Sequence, residues 1–345
     1  MSKKKIAIVG ATGYTGSELV RLLQDHPEVE TVAITSESYA GKPFSAVHPF
    51  FKGIEDRELV SVKELAQYDI DLAFLALPHG VSMEYVKQFA GERFPIVDFS
   101  GDFRLKDAET YEAWYGQKHV YAEGFEEATY GLPELFASSI AQARLVANPG
   151  CFPTGAILAL APLIKGGWVN LNNIIIDSKT GVTGAGVKAK NVNMYSNVNE
   201  NFKAYGLKTH RHSIEIQDIL GALTTQMAPV QFTPHLLPVD RGILTTAYAQ
   251  PVKEVSTVYL QKLYEEFYAN APFVQVLDAP PSLKDVRGTN LCKLYIDYDE
   301  RTGNILLISA IDNLVKGAAG QAVQNMNLML GMQETTGLHQ VPVNP

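Results

Sequence analysis

Short apolar runs alternate with helical spacing through the first 150 residues, and strands of period-two alternation take over afterwards. Ile6-Ala-Ile-Val9 is a continuous apolar run of the kind that fills a strand buried on both faces, and helical spacing follows at Leu19, Leu22 and Leu23. Val32 to Thr35, Leu72 to Leu77, Ile96 to Phe99 and Leu145 to Ala147 are further such runs, with a helical pattern at Met83 to Phe89. This alternation predicts an α/β domain built on a doubly wound parallel sheet. Beyond Cys151, Ile174 to Asp177, Leu244 to Ala249, Leu291 to Tyr298 and Ile305 to Ile311 alternate apolar with polar, and helices fit Ile216 to Met227 and Val258 to Tyr268. A second, α+β domain with a mixed or antiparallel sheet is expected there. A closing helix from about Lys316 to Leu330 has the glycines and alanines to return to the first domain. The expected division is therefore residues 1–150 with 313–345, and residues 151–312.

The first apolar run passes directly into Gly10-Ala-Thr-Gly13-Tyr-Thr-Gly16 and then a helix, the context in which a glycine triplet acquires meaning. Gly10 permits a tight turn, Gly13 a close approach to a pyrophosphate, and Gly16 close packing of helix on strand, so the sheet is of the Rossmann type. N–H groups at the helix start would hold the phosphates, making Gly10, Thr12, Gly13, Tyr14, Thr15 and Gly16 expected cofactor contacts. Pro78, in the turn Leu77-Pro78-His79-Gly80 after a strand, is another. The loop after the second strand, Thr35-Ser-Glu-Ser-Tyr-Ala-Gly-Lys42, separates NAD from NADP. Ser36, Ser38 and Lys42 suit a 2′-phosphate and Glu37 opposes one; the balance favours NADP.

Composition narrows the classes. The chain has 345 residues, 19% charged and 46% hydrophobic, with a net charge of −8, so it lacks the basic footprint of a nucleic-acid binder. Lys3-Lys4-Lys5 precedes only a short apolar stretch that runs into the glycine turn, which predicts neither a signal peptide nor a membrane span. Two cysteines of different character argue against a disulfide framework and for a reducing cytoplasm. Cys292 shares an alternating face with Leu294, Ile296 and Tyr298, a core position.

Cys151 sits differently, in Leu145-Val-Ala-Asn-Pro-Gly-Cys-Phe-Pro-Thr-Gly155, where a strand runs into a tight turn and then a helix. At a helix start the positive end of the macrodipole favours the thiolate, the reactive form. Such a nucleophile needs a proton acceptor. Of eight histidines, His26, His119 and His339 lie in polar stretches, His48 and His235 read as loop residues beside prolines, and His79 lies near the cofactor turn. His210-Arg211-His212 remains, before Ser213 as the expected N-cap of a helix. It offers an acid/base and an anion clamp. No second ligand cluster has metal spacing.

These segments closely resemble the N-acetyl-gamma-glutamyl-phosphate reductases. The match includes Val146 to Gly155, Gly10 to Gly16, Leu77 to Gly80, Asp98-Phe-Ser-Gly-Asp-Phe-Arg-Leu105, Tyr130-Gly-Leu-Pro-Glu134, Gly181-Val-Thr-Gly-Ala-Gly186, His210 to His212 and Asp312-Asn-Leu-Val-Lys-Gly317. The resemblance implies NADPH-dependent reduction of N-acetylglutamyl 5-phosphate to the 5-semialdehyde through a cysteine thioester, in arginine biosynthesis. It also implies a second domain like that of glyceraldehyde-3-phosphate dehydrogenase, and a homodimer or homotetramer. Cys151 takes the nucleophile position and His210 the acid/base position, with His212 the alternate. Gly184 and Asn313 fall in matched segments as cofactor contacts, and Arg104, Asn148, Arg211 and His212 as substrate contacts. Glu37 departs from the basic residue expected of many members. The rivals are aspartate-semialdehyde dehydrogenase, a lysine-pathway reductase with a carrier-bound substrate, and a non-catalytic NADPH sensor.

Overall fold

The computed structural model describes residues 2–344; Met1 and Pro345, which the expected first domain included, lie outside the described residues. The chain divides into two compact units, one running through Pro149 and resuming over Ala318–His339, the other covering Gly150–Gly317 and resuming from Gln340.

In the first unit, β1 (Lys4–Val9), β2 (Val29–Ile34), β3 (Leu72–Leu75), β4 (Ile96–Asp98), β5 (Ala128–Tyr130) and β6 (Leu145–Ala147) form one sheet in the order β2-β1-β3-β4-β6-β5. Every pairing is parallel. Ile6 to Val9 and Leu72 to Leu75 are fully buried, as expected for strands covered on both faces. The strand order reverses between β1 and β3, and ligands of such sheets bind beyond the strand ends near that point. The Gly320–Met329 helix packs on the Tyr14–Gln24 and Pro133–Ile140 helices and closes this unit.

In the second unit, β7 (Val169–Thr180), β8 (Lys203–Ala204), β9 (Val230–Leu236), β10 (Ile243–Pro251), β11 (Val274–Val276), β12 (Cys292–Asp299) and β13 (Asn304–Ile311) form a seven-stranded mixed sheet in the order β11-β12-β13-β10-β7-β9-β8. Along the Cys151–Lys165 helix every residue from Phe152 to Ile164 is buried. Pro162 lies inside this helix and has no N–H for the carbonyl of Leu158, and the Tyr268 hydroxyl donates to that carbonyl instead, at 2.5 Å. Cys292 is fully buried on the covered face of β12 with Leu294 and Ile296.

Several expectations are corrected. Residues 313–317 and 340–344 belong to the second unit: Asn313 there accepts the Gly242 N–H at 2.7 Å and donates to Thr183 at 2.9 Å, and the Val343 N–H bonds Arg287. Ser213 is not an N-cap, because the helix begins at His212 and the Ser213 N–H already bonds the His210 carbonyl. Val315–Ala319 is π-helical rather than the first turn of an α-helix. β9 escaped the pattern because it contains Pro234, a poor strand residue. Among the described residues no helix is long and apolar enough to cross a membrane.

Candidate active site

The glycine turn has the geometry a dinucleotide needs. Gly10 has φ +85°, and a Cβ there would lie 2.7 Å from the Ala76 carbonyl oxygen; a Cβ on Gly16 would lie 2.6 Å from Cα of Ala11. Only glycine tolerates either position. Around Gly13 the space is open, and no side chain caps the Tyr14–Gln24 helix that follows it. Tyr14 is exposed, with Thr12 and Thr15 half-buried, so the turn fits a phosphate placed at the helix start. Ser36 is buried and Ser38 exposed. The Glu37 carboxylate accepts the Val62 N–H at 2.9 Å, and Lys42 lies over the Tyr39 ring at 5.6 Å.

The loops after β3 and β4 are cross-braced. Nδ1 of His79 accepts the Gly101 N–H at 2.7 Å, while the Asp102 carboxylate accepts the N–H groups of Gly80 and Met83 and the Tyr111 hydroxyl. Pro78 is exposed at the tip of the first of these loops. Asp98 is fully buried against Ser82 and Ser100, and burial, then the charge of Asp102, pushes its pKa up to about 6.

Arg104 and Asn148, the expected substrate contacts, are both held by hydrogen bonds within the first unit. Arg104 is 7% exposed; its Nε donates to the Asn148 carbonyl at 2.8 Å and its Nη2 to that of Phe99 at 2.6 Å. Asn148 is fully buried, its amide donating to the Ala318 carbonyl and accepting from Asn325. Both side chains fix the end of β6. Asn313 likewise has the structural task described above, and Gly184 is exposed in the 3-10 turn Val182–Ala185.

In the second unit, Cys151 is the first residue of its helix, half-buried, with no side chain capping the helix start. The fully buried Glu215 carboxylate accepts the Gly150 N–H at 2.8 Å, fixing the backbone just before the thiol. A Cβ on Gly150 would collide with Nε2 of His212, so that ring lies against the same peptide. Behind Cys151 the wall is close as well: a Cβ on Gly317 would lie 2.9 Å from the Cys151 Cβ. His210 packs edge-on against Phe152, Tyr205, His212 and Phe232, with centroids 4.8 to 5.6 Å apart. Burial, reinforced by the Arg211 charge, lowers its pKa to about 4, so the ring is neutral at pH 7. Its Nδ1 accepts the His212 backbone N–H at 3.2 Å, which leaves the ring proton on Nε2. Arg211 is exposed beside it.

Tyr205 and Glu215 escaped the sequence pattern. The Tyr205 hydroxyl titrates above its usual range, through burial first and then the charge of Cys151, and its ring packs edge-on against His210. Glu215 lies one turn after His212, a spacing that would have marked it as sharing that helix face. A helix-start thiol whose neighbour Phe152 packs against the neutral His210 and against His212 has the groups that covalent acyl chemistry requires.

Residues 5–143 match the semialdehyde dehydrogenase, NAD binding domain, and residues 151–313 the semialdehyde dehydrogenase, dimerisation domain. The chain is 49% identical to the N-acetyl-gamma-glutamyl-phosphate reductase of Citrifermentans bemidjiense over 99% of both chains. It is also 49% identical to that of Pelotomaculum thermopropionicum over 97% of both. Among solved structures, aspartate semialdehyde dehydrogenase II complexed with ASA from Vibrio cholerae superposes with a TM-score of 0.72 at 17% identity, covering 96% of this chain and 99% of that one. The Candida albicans aspartate semialdehyde dehydrogenase with NADP gives 0.70, also at 17% identity, over 95% and 99%. These two share the fold.

Proposed function

The chain belongs to the N-acetyl-gamma-glutamyl-phosphate reductase family of semialdehyde dehydrogenases, and from that premise we propose that it reduces N-acetyl-L-glutamyl 5-phosphate to N-acetyl-L-glutamate 5-semialdehyde and phosphate, a step of arginine biosynthesis. The observation that carries the chemistry is Cys151 at its uncapped helix start, with Gly150 before it pinned by Glu215 and lying against His212, and Phe152 after it packed against His210.

His212, against the Gly150 peptide, takes the thiol proton and returns it to the departing phosphate. The Cys151 sulfur attacks the acyl carbon, the bond from that carbon to the phosphate oxygen breaks, and a thioester remains on Sγ. A nicotinamide dinucleotide, whose pyrophosphate the Gly10 to Gly16 turn would hold, would supply when bound the hydride by which this thioester becomes a thiohemiacetal on Sγ. His210, neutral with its proton on Nε2, donates a hydrogen bond to the developing oxyanion without giving up that proton. Collapse breaks the carbon–sulfur bond, releases the aldehyde and restores the thiolate, which the helix start stabilises. Arg211, exposed beside the histidines, matches the substrate's anionic groups with its planar fork.

The cofactor is a nicotinamide dinucleotide, and we assign it as NADP(H): Glu37, the residue opposing a 2′-phosphate, has its carboxylate engaged by Val62, while Ser38 and Lys42 stand exposed on the same loop. We further propose a homodimer formed through the open face of the seven-stranded sheet, where Ile175 and Tyr248 pair across β7 and β10 and are each 42% exposed. Cys151 and Cys292 are not joined in a disulfide, in keeping with a cytoplasmic enzyme. The test is phosphate-dependent reduction of NADP+ with N-acetylglutamate 5-semialdehyde and, separately, aspartate semialdehyde. The proposal expects the first to be the preferred substrate by orders of magnitude in kcat/KM, and equal use of both would refute it.

A further inference from the structure

Asp312 is fully buried in the second unit, and a buried carboxylate is stable only where hydrogen bonds replace water. Its Oδ1 accepts the N–H groups of Leu314 at 2.8 Å and Val315 at 3.2 Å, its Oδ2 accepts that of Gly288 at 2.7 Å, and the Arg241 guanidinium lies 3.5 Å from Oδ2. The Asp312 carbonyl meanwhile accepts the Gly317 N–H at 2.9 Å. That bond spans five residues, whereas an α-turn spans four and would bring the Lys316 N–H to the same carbonyl. One extra residue is thus wound into the turn, and such π-turns occur most often at functional sites. Lys316 is fully buried with its ammonium over the Phe273 ring at 5.7 Å, and Gly317, the next residue, is the one that meets Cys151. A Cβ on Gly317 would lie 2.9 Å from the Cys151 Cβ and 3.3 Å from its Cα, where carbon atoms pack at about 3.5 to 4.0 Å. No side chain fits at 317 unless Cys151 or the turn moves.

Resting on the acyl-phosphate reading above, we propose that Gly317 is a positioning residue for the nucleophile: the π-turn sets its backbone against Cys151 and so fixes where the thiol stands at the helix start. The turn is the firmer of the two partners. Asp312 holds it through Leu314, Val315 and Gly317, and Asp312 is itself held by Gly288 and Arg241. Cys151 is half-buried and is the first residue of its helix, so it is the side that yields. Attack on an acyl carbon needs the sulfur aligned and within about 3 to 3.5 Å of it, so a displaced thiol loses rate even where it ionises normally. Restoring ordinary contact with a methyl group at 317 would push Cys151 by about 0.6 Å. A misplacement of that order costs about tenfold or more.

The experiment compares Gly317→Ala with Gly221→Ala and the wild-type chain. Gly221 lies near the end of the His212–Ala222 helix of the same unit, and a Cβ there would meet the Gln226 carbonyl oxygen at the same 2.9 Å. The two substitutions therefore bring an equally close contact, and only one of them touches Cys151. Acylation by N-acetylglutamyl 5-phosphate is followed in a single turnover without NADPH, alkylation by iodoacetamide is followed as a function of pH, and crystal structures of both variants give the position of Cys151. Gly317→Ala is expected to acylate about tenfold more slowly or worse, with its Cys151 Cβ displaced by about half an ångström. Its alkylation rate and pH midpoint should stay close to wild type, because a small reagent needs no fixed approach, and Gly221→Ala should acylate as wild type does. Acylation of Gly317→Ala within twofold of wild type would overturn the proposal, as would alkylation that falls in step with acylation, an equal loss in Gly221→Ala, or a Cys151 that stays in place. A wild-type chain that is not acylated would instead refute the acyl-phosphate reading, and the crystal structures would still decide whether Gly317 places Cys151.

Discussion

Replacing His210 by asparagine should change acid stability and catalysis in opposite directions. The pKa of His210 falls from 6.5 to about 4 on folding, through burial first and the Arg211 charge second. Between those values the unfolded chain binds a proton that the folded chain refuses. This group's contribution is therefore fully present above pH 6.5 and is lost as the pH falls towards 4. One pKa unit corresponds to about 1.4 kcal/mol, so the whole shift amounts to roughly 3 kcal/mol, of which about 2 kcal/mol falls between pH 7.5 and pH 5. His210→Asn carries no titrating ring, and its stability should lose about 2 kcal/mol less over that interval, whatever its absolute value. The assay is urea unfolding of both proteins at pH 5.0 and 7.5, with fluorescence and circular dichroism followed together so that the two units can be separated. In parallel, the loss of the oxyanion donor should lower kcat by about 10² to 10³. Identical pH dependence of unfolding in the two proteins would refute the buried, neutral imidazole, and with it the fixed Nε2 proton on which the mechanism relies.

Further outcomes follow from the same geometry. Asp98, raised to about 6 by burial and Asp102, should destabilise the fold as pH rises from about 4 to 6; Asp98→Asn should flatten that limb by about 3 kcal/mol in urea unfolding. His212→Asn should slow iodoacetamide alkylation of Cys151 at pH 7, whereas His210→Asn should leave it within a fewfold of wild type; the reverse pattern would exchange their roles. Gly150→Ala, whose Cβ would collide with His212, should lower kcat by more than tenfold while leaving the NADPH dissociation constant unchanged. Tyr248→Lys should convert a dimer to a monomer in analytical ultracentrifugation, by placing a charge on the open sheet face.

Local pattern made much of this fold legible. Continuous apolar runs such as Ile6 to Val9 mark strands buried on both sides, and the glycine turn falls where the run ends. The place of Cys151 at a helix start was legible for the same reason: strand, turn and helix are contiguous in the chain. What stayed hidden depends on distance in sequence. Glu215 reaches Gly150 across 65 residues, and nothing in its helical spacing names that partner. Arg104 and Asn148 carry polar groups that suit a substrate, and their bonds to backbone carbonyls and to Asn325 span distances in sequence that no local pattern records. His26 and His119 lie in polar stretches and are nonetheless 1% and 5% exposed, His26 bonded to Asn327 and His119 to the Asp102 carbonyl. Pro234 concealed β9, whose pairing with β7 and β8 forms only in the folded sheet.

The central claim is a covalent thioester on Cys151, and intact-protein mass spectrometry reads it directly. Mixed with N-acetylglutamyl 5-phosphate in the absence of NADPH, the chain should gain one N-acetylglutamyl group. Peptide mapping should place it on Cys151, and NADPH should discharge it as the aldehyde. An adduct that never forms, that persists in Cys151→Ser, or that maps to another residue would contradict the account.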